Sequence, residues 1–246
     1  MSTLFENQQL DLFANNIRGG FPAGLSNQTK LAFIDVSENQ LDEETFPESL
    51  LSLTSLEIFR ASGNSMGGEI PANIGVLSGL KQLWTESNSL QGTLPTELGT
   101  LRFLDSLYLG ENEIVGSIPS ELGRLPLSEL RLQGNNLQET IPAELFNVGS
   151  LKVIRLEKNF LFGPLPATIG QLTNLEDLRL EENNLSGQIP ADIRFLSNLG
   201  KYSFSVLTIG TSLSNFHAIT NTFLALIFVT IRKPCIAREL LVRNRA

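Results

Sequence analysis

The side chains able to do covalent or metal chemistry are scarce in this sequence. There is one cysteine, Cys235, and one histidine, His217. A single Cys excludes a disulfide framework and any Cys-rich zinc module. A single His excludes multi-histidine metal sites and leaves one residue for imidazole acid–base work. No G-x-S-x-G elbow, P-loop or HExxH is present, nor a kinase Gly-rich loop, HRD or DFG. The sequence therefore reads as non-enzymatic, with no metal and no cofactor. A net charge of −8 argues against nucleic acid as the main partner, because phosphate binding needs a supply of Lys and Arg. What remains is recognition chemistry: one Trp, two Tyr and a set of arginines spaced about 24 residues apart.

That spacing is a property of the whole chain. Asparagines recur at Asn15, Asn39, Asn64, Asn88, Asn112, Asn135, Asn159 and Asn183, with intervals of 23 to 25 residues. Six or seven residues after each stands an apolar–Pro pair, from Phe21-Pro22 to Ile189-Pro190, which places eight of the 11 prolines in one phase. Such periods mean a stack of identical coils. One unit runs Leu175-Glu176-Asp177-Leu178-Arg179-Leu180-Glu181-Glu182-Asn183-Asn184-Leu185-Ser186-Gly187-Gln188-Ile189-Pro190. Leu178 and Leu180 alternate as a short strand with one buried face. The Asn can satisfy backbone groups that the turn would bury unpaired. Pro fixes φ on the return leg, where no ladder N–H is needed.

These residues resemble the leucine-rich repeat family, in its plant-type form LxxLxLxxNxLxGxIPxxLGxL, and specifically the ectodomains of receptor-like proteins and kinases. The resemblance implies an α/β repeat fold: a right-handed solenoid of about eight 24-residue units with a parallel β-sheet on its concave face. The repeats run from about 10 to 198, so a domain is expected over 1–204 with an incomplete terminal coil. No unit of this size buries its leucines alone, so neighbours must stack at about 4.8 Å per strand, giving a concave face on the order of 35 Å long. Ala61 and Thr85 stand where larger apolar residues are expected, Glu139 replaces a turn glycine, and one extra residue falls around Asp42–Thr45. All are read as local distortions.

On the concave side, the central strand residue of each unit gives one column: Asp11, Asp35, Arg60, Trp84, Tyr108, Arg131, Arg155 and Arg179. The adjacent column is Phe13, Ser37, Ser62, Glu86, Gly110, Gln133, Glu157 and Glu181. Trp84 and Tyr108 should form an aromatic pair with arginines on either side, and Trp, Tyr and Arg are the residues that most often anchor interfaces. The candidate binding set is Arg60, Trp84, Glu86, Tyr108, Arg131, Arg155 and Arg179, for a protein or peptide partner. A plainer reading pairs Arg155 with Glu157 and Arg179 with Glu181 on a solvated sheet, worth little. Receptors of the resembled family that take a peptide's C-terminal carboxylate use two Arg on one strand. Here the second position holds Gln133, Glu157 or Glu181, which does not support that mode.

The ends depart from the family. Met1–Asn7 carries no basic region, apolar run or cysteine, so the chain reads as part of a longer array or an incompletely predicted gene, the alternative being a short intracellular repeat protein. Residues 200–246 hold six Lys/Arg against one acid, a sharp change from the acidic repeats. Over 205–246 the chain is hydrophobic, then basic, and 212–231 is a candidate transmembrane segment ended by Arg232-Lys233. Its densest part, 218–231, is shorter than the roughly 20 residues a spanning helix needs. A cap over the last coil, or a tail of no defined structure, are the other readings. The chain is thus placed at a membrane or cell surface if the tail spans, and in the cytoplasm otherwise. Cys235 lies beside basic residues and is a lipidation site only beside a span, otherwise a free thiol. Asn27-Gln28-Thr29 and Asn184-Leu185-Ser186 are sequons, glycan acceptors if the chain is secreted, though such triplets also arise by chance. Function is expected to be ligand binding on the concave face, as part of a receptor-like protein or, alternatively, as a soluble structural or inhibitor-type scaffold without signalling. Oligomeric state and ligand identity do not follow from sequence.

Overall fold

A computed structural model describes residues 8–203. Nine three-residue strands, from Gln9–Asp11 to Lys201–Ser203, form one parallel sheet in which spatial order follows chain order. The period read from sequence sets the register directly: Asp35 pairs with Arg60, Arg60 with Trp84, Trp84 with Tyr108, and Tyr108 with Arg131. The column continues through Arg155 and Arg179 to Ser203.

Each repeat proline precedes a five-residue helical turn on the opposite side of the coil. These turns are all 3₁₀. Pro71, with φ −77°, opens Ala72–Val76, where Ile74 N–H bonds the Pro71 carbonyl at 2.9 Å. A segment this short, entered from a fixed φ and left again after one turn, closes with i→i+3 bonds rather than an α-helix. A further strip of paired segments lies between sheet and helices, among them Phe162–Pro164 beside Asn184–Ser186.

The core is the inside of the coil. Leu83, Leu107, Leu130, Ile154 and Leu178, central residues of five successive strands, are wholly buried, as are Leu98, Leu122, Leu145 and Ile169 from the helical turns. Burying a leucine is worth roughly 1.5–3 kcal/mol, and because neighbours do the burying, stability grows by stacking.

The asparagines close each turn. Asn112 Nδ2 donates to the carbonyls of Leu109 (3.1 Å) and Gly110 (3.1 Å) in its own coil and of Thr85 (2.9 Å) in the coil before. Its Oδ1 accepts from Leu90 N–H at 2.9 Å. Asn39, Asn64, Asn88, Asn135, Asn159 and Asn183 repeat this pattern. Asn15, on the first described coil, is exposed and bonds only within its own turn, to Leu12 and Phe13.

The expected distortions are absent at two positions. Ala61 and Thr85 are wholly buried and their N–H groups keep the ladder, to Trp84 and Tyr108 carbonyls at 2.8 Å each. At these two positions the Thr85 hydroxyl alone lacks a partner. Glu139 does carry strain, holding φ +68° where its neighbours in phase are glycines. The extra residue in the second unit is taken up by a loop whose Glu43 carboxylate accepts from Phe21 N–H at 2.9 Å. The segment 205–246, with the candidate span at 212–231, Cys235 and His217, lies outside the described residues. Among those described, no helix is long and apolar enough to cross a membrane.

Candidate functional site

The sheet's outer face follows from its inner one. With Leu83, Leu107 and Leu130 pointing into the coil, Trp84, Tyr108 and Arg131 must point out of it, and parallel register puts them side by side. The Trp84 and Tyr108 rings stack with centroids 4.6 Å apart and planes 5° from parallel. The Arg60 guanidinium lies 4.0 Å from the centroid of Trp84, and that of Arg131 lies 4.1 Å from the centroid of Tyr108. Four planar groups on four successive strands thus form one continuous stack.

Polar contacts fix each member. Trp84 Nε1–H donates to Ser106 Oγ at 2.9 Å. The Tyr108 hydroxyl donates to Glu129 Oε2 at 2.5 Å, and the same oxygen pairs with Arg131 Nη2 at 2.6 Å. Arg60 donates to Gln82 Oε1 through Nη2 at 2.8 Å and sits 3.7 Å from Asp35. Tyr108 is only 8% exposed. Burial, with the bond to the Glu129 carboxylate adding to it, pushes its phenol well above the ordinary tyrosine range, so it stays a neutral donor. Because both faces of each ring are covered, the stack offers incoming groups its edges and the rims of the guanidinium planes, not a bare aromatic face.

The rest of the column pairs differently from the plainer reading. Arg155 and Arg179 do not bond Glu157 and Glu181; both turn to Asp177, at 2.9 Å and 3.1 Å. Asp177 opens the strand Asp177–Arg179, is 5% exposed, and stands between the two arginines within reach of both. Its charge raises Arg179, against the lowering effect of burial. Gln82, Ser106, Glu129 and Asp177, all at first or adjacent strand positions, therefore belong to the site although the column reading omitted them. Their signal was present: each is polar and precedes an outward residue by two.

In the second column, Gln133 Nε2 donates to Glu86 Oε1 at 3.0 Å, spanning the intervening strand. Gly110 makes this reach available, since a Cβ there would sit 2.3 Å from Gln133 Nε2. Glu181 accepts from the Ser203 hydroxyl. Glu157, 9% exposed, has a buried Oε2 without a hydrogen-bond partner. Burial, and secondarily the nearby Glu181, push its carboxyl above the usual carboxylate value, opposed by a backbone hydrogen bond and by Arg179 and Arg155. Both sequon asparagines are exposed, Asn27 at the end of a helical turn and Asn184 at the start of Asn184–Ser186.

Coiled strands, proline-led turns and an internal asparagine ladder define a leucine-rich-repeat solenoid. The Leucine Rich Repeat family model matches residues 103–125, 126–148 and 174–196. The chain resembles the ectodomains of plant leucine-rich-repeat receptor kinases. It is 35% identical to the plant peptide hormone receptor RGFR1, solved in complex with RGF2, over 81% of this chain and 32% of that one, with a TM-score of 0.79. It is 34% identical to the ectodomain of the membrane receptor kinase GASSHO1/SCHENGEN3 from Arabidopsis thaliana, solved with CASPARIAN STRIP INTEGRITY FACTOR 2, over 81% and 24% of the two chains, with a TM-score of 0.78. A leucine-rich-repeat protein of the bacterium Leptospira interrogans, LIC12759, is 30% identical over 78% and 48%, with a TM-score of 0.67. The chain spans less than half the length of each of these structures. No curated protein matches its sequence significantly.

Proposed function

We propose that this chain is a non-catalytic peptide- or protein-binding scaffold that takes its partner on the concave face, centred on Arg60, Trp84, Glu86, Tyr108 and Arg131 and extending to Arg155 and Arg179. The observation that carries the reading is the Arg60–Trp84–Tyr108–Arg131 stack. It stands on the solvent side of the sheet, opposite the leucines, where the coil needs no large side chain. Rigid aromatic and guanidinium groups held in place before a partner arrives lose little freedom on binding, which is how interface anchors contribute. RGFR1 and GASSHO1/SCHENGEN3 carry peptide or protein ligands in their own structures, and this supports a receptor-like, ligand-binding role here, with residues 1–204 as the binding unit.

Trp84 is the chain's single tryptophan, so the site contains its own reporter. Titrating the full chain with pools of short synthetic peptides should change Trp84 emission. Tyr108→Ala should weaken the response about tenfold or more while the array still melts cooperatively. An emission spectrum unmoved by every pool would remove the reading.

A further inference from the structure

Along the concave face the arginines already have partners: Arg60 has Asp35, Arg131 has Glu129, and Arg155 and Arg179 share Asp177. The second-column carboxylates are in the opposite condition. Glu86 is held by a neutral amide, Glu181 by a hydroxyl, and neither these nor Glu157 makes an ion pair within 4.0 Å.

Two acceptor atoms in this column have no donor, Gln133 Oε1 and Glu157 Oε2. Gln133 spends an N–H on Glu86, on one side of it, and its carbonyl oxygen is left without a donor. The strand on its other side carries Glu157. The ladder bond from Gly134 N–H to the Glu157 carbonyl, 2.9 Å, keeps the two residues level on neighbouring rungs about 4.8 Å apart. A buried acceptor left unpaired is costly, more so when charged, so a donor brought to both would be strongly retained. An ammonium is a compact charge that serves one such point well. A guanidinium is a planar fork whose N–H groups reach two acceptors at once.

We propose that Gln133, Glu157 and Glu181 form a subsite for the guanidinium of an arginine side chain on the bound peptide. The proposal rests on the concave-face reading above and adds a chemical preference to it. Asp177 holds Arg155 and Arg179 to the first column, leaving the second column acidic where the ligand's cation arrives.

The test passes a positional-scanning library of short synthetic peptides over the immobilised full chain and sequences what is retained. Arginine should be enriched at one position over lysine and glutamine. A retained arginine peptide should bind Glu157→Gln/Glu181→Gln about tenfold or more weakly than the parent, with its glutamine analogue binding both alike. Circular dichroism melting confirms that the double variant remains folded. Retained peptides with no arginine preference, a preference shared equally by lysine, or an arginine preference untouched in the variant would each overturn the subsite while leaving the scaffold role intact. If no peptide is retained at all, the concave-face reading fails and the subsite fails with it.

Discussion

Trp84 and Tyr108 lie 24 residues apart in the chain and 4.6 Å apart in the fold, ring on ring, with 5° between their planes. Offset-stacked aromatic pairs contribute about 0.5–1.5 kcal/mol beyond the area they bury. A double-mutant cycle with Trp84→Ala and Tyr108→Ala, measured by urea unfolding, should return a coupling in that range. A coupling of zero would mean that the two rings are placed by their strands alone and gain nothing from each other.

The asparagine ladder predicts a contrast between two chemically identical substitutions. Asn112 is buried and its amide serves four backbone groups across two coils. Asn112→Ala leaves several of them unpaired and should cost about 2–4 kcal/mol. Asn15 is exposed and bonds only Leu12 and Phe13, so Asn15→Ala should fall within about 0.5 kcal/mol of neutral. Equal losses in denaturant unfolding would show that the ladder acts through turn propensity and not through bridging between coils.

Glu139 sits at φ +68°, in the phase where Gly116 and Gly163 hold +79° and +83°. A side chain in this left-handed region costs about 1–2 kcal/mol, partly offset in glycine by the extra freedom of the unfolded chain. Glu139→Gly should therefore stabilise the array by up to about 1 kcal/mol, seen as a higher Tm, although it removes a side chain. Gly163→Ala should do the reverse, because its new Cβ would also meet Thr140 Cγ2 at 2.9 Å. A lower Tm for Glu139→Gly would show that the glutamate side chain makes a contribution larger than the backbone strain.

The concave column was legible because a parallel stack converts sequence period into spatial neighbourhood: once Asn88 and Asn112 are in phase, Trp84 and Tyr108 have no other place to go. The prolines were legible for the same reason, as fixed points of each coil. Partner choice among the charges was not. Arg155 could reach Glu157 along its own strand or Asp177 across to the next, and the alternation of a strand does not decide between them. Asp177 wins because it lies level with Val153 on the neighbouring rung and can accept from Arg155 and Arg179 together. A reading confined to outward columns passes over such residues at strand starts, as it passed over Glu129 and Ser106. The 3₁₀ character of the turns was also hidden, since a five-residue segment has too little length to show a helical period.

Asp177's preference leaves Glu157, among the described residues, as the one concave carboxylate that is buried and lacks a full set of partners, and this has a sign in pH. Its carboxyl is raised in the folded chain, first by burial and then by Glu181, above the roughly 4.3 of an unfolded glutamate. Below that value the group is protonated in both states and costs nothing. As pH rises, the unfolded chain releases the proton more readily than the folded one, so stability is lost progressively until the folded carboxyl has also ionised. Glu157→Gln removes the titration and keeps the shape. The variant should melt higher than the parent at neutral pH, with the difference shrinking as pH falls towards about 4. Paired melting curves across that interval check it. A difference in Tm that stays constant with pH would place the effect in packing rather than in the charge, and would leave the ionisation of Glu157 without influence on the fold.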